Sequence, residues 1–295
     1  MSFAEKNQNK NVLMLTLTSV VMSVLFSFMG APFLRALSVT AKPKIFWSAG
    51  ILLIAVLLLS GLTLASVYIG AIWMTLGLYN ELEKRGTSWR IAGLVSLVAG
   101  IAFAAIAYSL TIRFLGAQNI LSELLLPLQQ TMNKAFPESP VEISTLKAYV
   151  PGIFSAMLFS SLAIGFILEA KVIRLFQIQQ NRVASGLRWL EFRLPDVVIW
   201  ISLFAALFSM ISFDFAVLQK ISLNIVIVSV VAFFFQGVVV TEFLTRAFRF
   251  GPVSKMILYI LIVLQLAPAL VLLGLVDYWV DFRKRIRKKL KANSN

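Results

Sequence analysis

The sequence predicts an all-α, polytopic helical integral membrane protein with about eight transmembrane segments. Three observations carry that reading. Of 295 residues, 59% are apolar and 14% charged. A soluble domain runs near about 45–50% and about 25%. The mean hydropathy is +0.88. The apolar residues also fall in blocks close to the roughly 20 residues that one bilayer crossing takes, and Lys and Arg punctuate the ends of those blocks.

Each segment has its own justification. Met1 to Asn11 is polar and carries Lys6 and Lys10. The apolar run Val12 to Leu34 exceeds the apolar core of roughly 7–15 residues in a signal peptide and lacks a small-residue cleavage site. It reads as an uncleaved first helix, ended by Pro32 and Arg35. After Lys42-Pro43-Lys44, Ile45 to Asn80 as one helix would measure about 54 Å at about 1.5 Å per residue. The hydrocarbon core is only about 30 Å thick. A break at Ser60-Gly61 divides the run into 45–59 and 62–80, the first unusually short.

Beyond polar residues 81–90, Trp89 to Leu115 forms the next crossing. Between Gly116 and Ala148, residues Ile120, Leu121, Leu124, Leu125 and Leu128 recur at helical spacing. They predict an amphipathic helix lying in the interface, weakened by Pro127 and ended by Pro137 to Pro140. Val150 to Ile167 follows, then a basic stretch from Lys171 to Arg193. Val197 to Phe213, Ile221 to Leu244 and Met256 to Val280 complete the set, with a kink expected at Pro268. Residues 1–295 thus read as a single transmembrane domain, with 281–295 a basic cytoplasmic tail.

The formal charge is +14, and seven of the 27 Lys and Arg residues lie between Arg283 and Lys291. Such a tail anchors to anionic lipid headgroups at about 1 kcal/mol per residue, so the bilayer, rather than nucleic acid, is the expected partner of the charge. Lys and Arg divide almost evenly between the two sides, so loop charge does not orient the chain. The tail, with Lys6 and Lys10, favours both termini in the cytoplasm.

Several functions are excluded. The sequence has no Cys and no His, which removes thiolate chemistry, disulfides and imidazole relays. No segment between apolar blocks reaches the roughly 40 residues of a free-standing domain. The phosphate-cradling pattern Gly-x4-Gly-Lys-Ser/Thr does not occur, so the chain carries no ATPase of its own. The serines lack an obvious base. An enzyme is not expected, and no cofactor or metal is implied.

What remains are isolated polar groups. Glu242 and Arg246 are four apart and share a helix face. Asn224, Gln236 and Gln265 are the uncharged polar residues deepest in apolar surroundings. Such groups either bond helix to helix, at about 0.6 kcal/mol each, or line a pocket. Asn224, Gln236, Glu242 and Gln265 are the candidate substrate-binding residues. Ser19, Ser23, Ser27 and Ala31 form a small-residue stripe, as do Ala92, Ser96, Gly100 and Ala104. Stripes of this kind pack the chain against itself or dock another membrane protein. Asp277 and Asp281 offset the neighbouring Arg and Lys cluster.

The C-terminal half also carries a family likeness. Leu190-Glu-Phe-Arg-Leu-Pro195 precedes a helix, Phe234-Phe-Gln-Gly237 lies within the next, and Leu273-Gly-Leu-Val-Asp277 runs into Asp281-Phe-Arg-Lys-Arg285. Over roughly residues 185–287 this resembles the YybS-like bacterial membrane proteins, grouped as domain of unknown function 2232. The resemblance implies a multi-pass protein of the bacterial inner membrane. That family is distantly similar to the substrate-capture (S) components of energy-coupling-factor transporters. These bind a vitamin or metal and dock on a membrane coupling subunit that works with an ATPase. The matching docking positions would be Ser19, Ser23, Ser27 and Ala31. The function so implied is a substrate-binding or transport component working with partner subunits. The other reading is a non-catalytic membrane scaffold that recruits cell-envelope or division proteins.

Overall fold

The computed structural model describes residues 3–116, 119–177, 189–211 and 216–292, all in helices, turns and short connections. Contacts gather into two compact units, Met1–Ser185 and Gly186–Asn295. Each unit closes around its own central helices.

Among the described residues, the first unit holds seven α-helices: α1 (Phe3–Phe26), α2 (Ala31–Thr40), α3 (Pro43–Leu59), α4 (Thr63–Lys84), α5 (Trp89–Leu115), α6 (Ile120–Ala135) and α7 (Ile143–Leu175). The single first helix expected over 12–34 is divided. A 3-10 turn at Ser27–Gly30 interrupts it, and α2 packs back onto α1. The corner is tight, since a Cβ on Gly30 would overlap the backbone of Ser23. Pro32 sits in the first turn of α2, where its missing N–H costs nothing.

The predicted break at Ser60-Gly61 is present between α3 and α4. Trp73 of α4 fills the space left by Gly50 of α3 and donates its indole N–H to the Phe46 carbonyl at 3.1 Å. α5 ends at Gly116 in the left-handed conformation that a glycine takes without steric penalty. α6 is strongly amphipathic with no buried residue and tolerates Pro127. Beyond it, the Asn133 side chain accepts from the Val141 N–H at 2.7 Å while Gln129 donates to the Val141 carbonyl at 2.9 Å. α7 extends well past the predicted 150–167 at both ends.

The second unit comprises α8 (Asp196–Met210), α9 (Ala216–Ala247), α10 (Pro252–Leu261), α11 (Ala267–Val280) and α12 (Phe282–Ala292), with a short 3-10 turn at Trp189–Glu191. α9 packs on α8, α11 and α12. The expected kink at Pro268 is a five-residue π stretch, Ile262–Leu266, between α10 and α11. Within the basic tail, Phe282–Ala292 is helical.

Among the described residues, three helices are long and apolar enough to cross a bilayer: Trp89–Phe114, Ile143–Leu175 and Val217–Ala247. Five further apolar helices have 10–17 residues, shorter than a full crossing usually takes. Long apolar side chains such as Leu59, Leu94, Phe114 and Val217 are exposed along these helices, as a lipid-facing surface requires.

Candidate functional site

In the first unit the most heavily charged buried group centres on Arg35, which is 1% exposed. α2 carries no acid at three or four residues from it, so its partners must come from other helices. Its Nε donates to Glu169 Oε2 of α7 at 3.2 Å, one terminal nitrogen to Asn80 Oδ1 of α4 at 3.3 Å, and the other to Glu83 Oε2 of α4 at 2.5 Å. Tyr79 and Phe166 each lie 5.1 Å from the guanidinium carbon. Their rings meet edge to face at 4.6 Å. Asn80 also donates to the Ser38 carbonyl, which ties α2 to α4. Glu169 is 2% exposed.

One cation and two carboxylates therefore lie closed among α2, α4 and α7. Arg suits this position because its planar fork addresses several acceptors at once and stacks on aromatic faces. Sequence reasoning missed the group. It assigned Arg35 to a helix end, Glu83 to a polar loop and Glu169 to the residues after a crossing. A signal was present: neither Arg35 nor Glu169 has an opposite charge at helical spacing, so both had to pair at a distance.

The predicted site residues do not converge on one pocket. Gln236 is fully buried, and both ends of its amide are engaged within the second unit. It accepts from the Leu194 N–H at 3.0 Å and donates to the Gly274 carbonyl at 2.9 Å. Glu242, on the same helix, accepts from Arg246 Nε at 2.6 Å and the Tyr259 hydroxyl at 2.5 Å, with Lys255 Nζ at 3.6 Å. Asn224 donates to the Lys220 carbonyl one turn back, at 2.8 Å. It stands 12 residues from Gln236, about 18 Å along the helix. Gln265 is exposed within the π stretch.

Ser19 and Ser23 of α1 and Ala31 at the start of α2 face inwards. Ser19 and Ala31 are fully buried and Ser23 is 2% exposed. The Ser27 side chain lies outside the described residues. Among the described residues the Ser19 and Ser23 hydroxyls have no hydrogen-bond partner. As placed, Ser19, Ser23 and Ala31 pack the chain against itself. In the second stripe Ala92, Ser96 and Ala104 are likewise buried, and Gly100 abuts Thr75 of α4. Among the described residues, no group of three or more Asp or Glu side chains could hold a metal ion.

The segments that carried the family likeness do meet. Leu194 bonds Gln236, and Gln236 bonds Gly274. Gly237 and Gly274 let α9 and α11 touch backbone to backbone, since a Cβ on either would overlap a carbonyl of the other helix. Arg193 donates to Asp281 and to the Tyr278 carbonyl, both at 3.2 Å. Arg283 reaches Asp277 at 2.9 Å and the Phe192 carbonyl at 2.8 Å. Four separate sequence segments thus form one hydrogen-bonded lock.

An all-helical chain with several long apolar spans and exposed apolar faces defines a membrane protein. A family model described as predicted membrane protein (DUF2232) matches residues 11–278, and the chain belongs to that family. The match extends well ahead of the 185–287 stretch on which the likeness was first legible. No curated protein and no solved structure matches the chain.

Proposed function

We propose that this protein is a non-catalytic substrate-binding or transport component of the bacterial inner membrane, crossing it several times and working with partner subunits. The observation that carries the reading is the Arg35 group, with one arginine, two glutamates and an asparagine enclosed among α2, α4 and α7. Well-packed apolar residues would serve stability there as well or better. Ionisable groups inside helical membrane proteins mark substrate or ion paths by default. The partner subunits of this reading are a membrane coupling protein and an ATPase, as the likeness to energy-coupling-factor capture components implies. The C-terminal basic helix lies against anionic headgroups.

A scaffold for envelope or division proteins is the second reading. It is favoured by Gln236, whose amide is committed at both ends to internal bonds. Native mass spectrometry of the gently solubilised protein from its own membranes separates the two. A bound small molecule, or co-purifying coupling and ATPase subunits, is the expected result, with the small molecule lost in Glu169→Gln. A ligand-free protein carrying envelope or division proteins would overturn it.

A further inference from the structure

The tight reversal between α1 and α2 leaves an open groove of about 520 Å³ against α7. That volume lies within the roughly 300–1,000 Å³ of ligand sites. Met22, Phe26 and Met29 form one wall, Phe33 and Leu175 contribute to the others, and among the described residues Lys171 is the one charged residue in the lining. Phe26, Met29 and Leu175 are each about half exposed or more, at 56%, 47% and 72%. Thioether and aromatic side chains make an adaptable apolar lining without a hydrogen-bonding pattern to specify a polar solute.

We infer that this groove holds one acyl chain of an anionic phospholipid, with Lys171 paired to the headgroup phosphate. Two observations choose this occupant. Among the described residues the lining is apolar except at Lys171, which matches a molecule that is apolar except at one anionic end. Lys171 is exposed and lies one turn from the end of α7, with exposed Arg174 three residues on. A lysine there lays its stem along the groove and lifts its ammonium toward the headgroups. The groove also belongs to a chain whose surroundings are lipid, so its occupant is drawn from the bilayer itself. The inference is independent of the Arg35 group and stands whether or not that group binds a substrate.

The test uses the full chain in nanodiscs containing phosphatidylcholine and phosphatidylglycerol with matched acyl chains, followed by native mass spectrometry of retained lipid. One tightly retained phosphatidylglycerol is expected. Lys171→Gln, a change at an exposed position, should lower the retained phosphatidylglycerol-to-phosphatidylcholine ratio about fivefold, the effect of one basic residue near a membrane surface. Lys171→Glu should lower it further. Met29→Trp, which fills the groove, should remove retention of both lipids while the protein remains monodisperse. Because the basic C-terminal helix is intact in every variant, its own lipid contacts cancel in the comparison. An unchanged ratio in both Lys171 variants would overturn the headgroup assignment. Retention undiminished by Met29→Trp, or a co-purifying polypeptide in place of lipid, would overturn the groove as a lipid site.

Discussion

Replacing Arg35 with Met should be among the most damaging single changes in the first unit. The side chain is 1% exposed, and the carboxylates it serves, Glu83 and Glu169, are 6% and 2% exposed. Methionine keeps much of the volume but removes three hydrogen bonds and the charge between two acids. Breaking a buried ion pair by removing one partner costs about 3–5 kcal/mol. Loss of the stacking on Tyr79 and Phe166 adds on the order of 1–2 kcal/mol. At about 2–4 °C per kcal/mol for a body of this size, the ion-pair loss alone lowers the apparent melting temperature by about 6–20 °C. The assay is the monodisperse fraction remaining after heating in detergent, which requires no ligand. A triple variant, Arg35→Met with Glu83→Leu and Glu169→Leu, should recover most of the loss, because it leaves no buried charge without a partner. Arg35→Met melting within about 2 °C of the parent, a shift worth roughly 1 kcal/mol or less, would refute the account. A triple variant no better than the single would show that the charges are not what the arginine stabilises.

Other changes test the second unit. Gln236→Leu strands the Leu194 N–H, at about 1–3 kcal/mol, and removes the side-chain bond to the helical Gly274 carbonyl, so it should destabilise the protein, and an unaltered melt would count against the bonds described. Gly237→Ala and Gly274→Ala each drive a methyl into a facing backbone carbonyl. Overpacking of this kind costs about 1–3 kcal/mol, whereas Gly251→Ala, with open space around it, serves as the neutral control. Arg283→Ala releases the contacts to Asp277, Leu190 and Phe192, so limited trypsin should cut within 282–292 faster than in the parent; equal rates would mean that α12 is held by other contacts.

How much of this was legible in the sequence depends on distance along the chain. The break at Ser60-Gly61 and the helix after Asn119 are local, written in runs, turns and prolines, and both are present in the structure; where a kink is expected at Pro268, a π stretch lies just ahead of it at Ile262–Leu266. The division of the first apolar run was not read. Its signal is Gly30 with Pro32 inside an otherwise continuous apolar block, and only the approach of Gly30 to Ser23 shows why a glycine stands there. The Arg35 group joins residues 45, 48 and 134 positions apart, pairings that no window of helical spacing contains. Gln236 illustrates a different limit. A buried glutamine in an apolar helix fits a pocket and a helix-to-helix bond equally well. Its two partners lie on segments 42 and 38 residues away.

The π stretch at Ile262–Leu266 sets the rotational phase of the last part of the chain. Each residue there bonds five positions back instead of four, so the rod contains one residue more than a regular helix of that rise. One residue corresponds to about 100° of rotation about the axis. Leu270, Gly274 and Asp277 all lie on the inward side of α11, and they reach that side only because the preceding turn is wide. Deleting any one residue between 262 and 266 would remove the extra residue and leave this side facing α9, whereas winding the same residues as a regular α-helix would swing it more than a quarter of a turn away. A helical wheel drawn straight through 252–280 makes the same error on paper, assigning to the outside the residues that hold α11 in place.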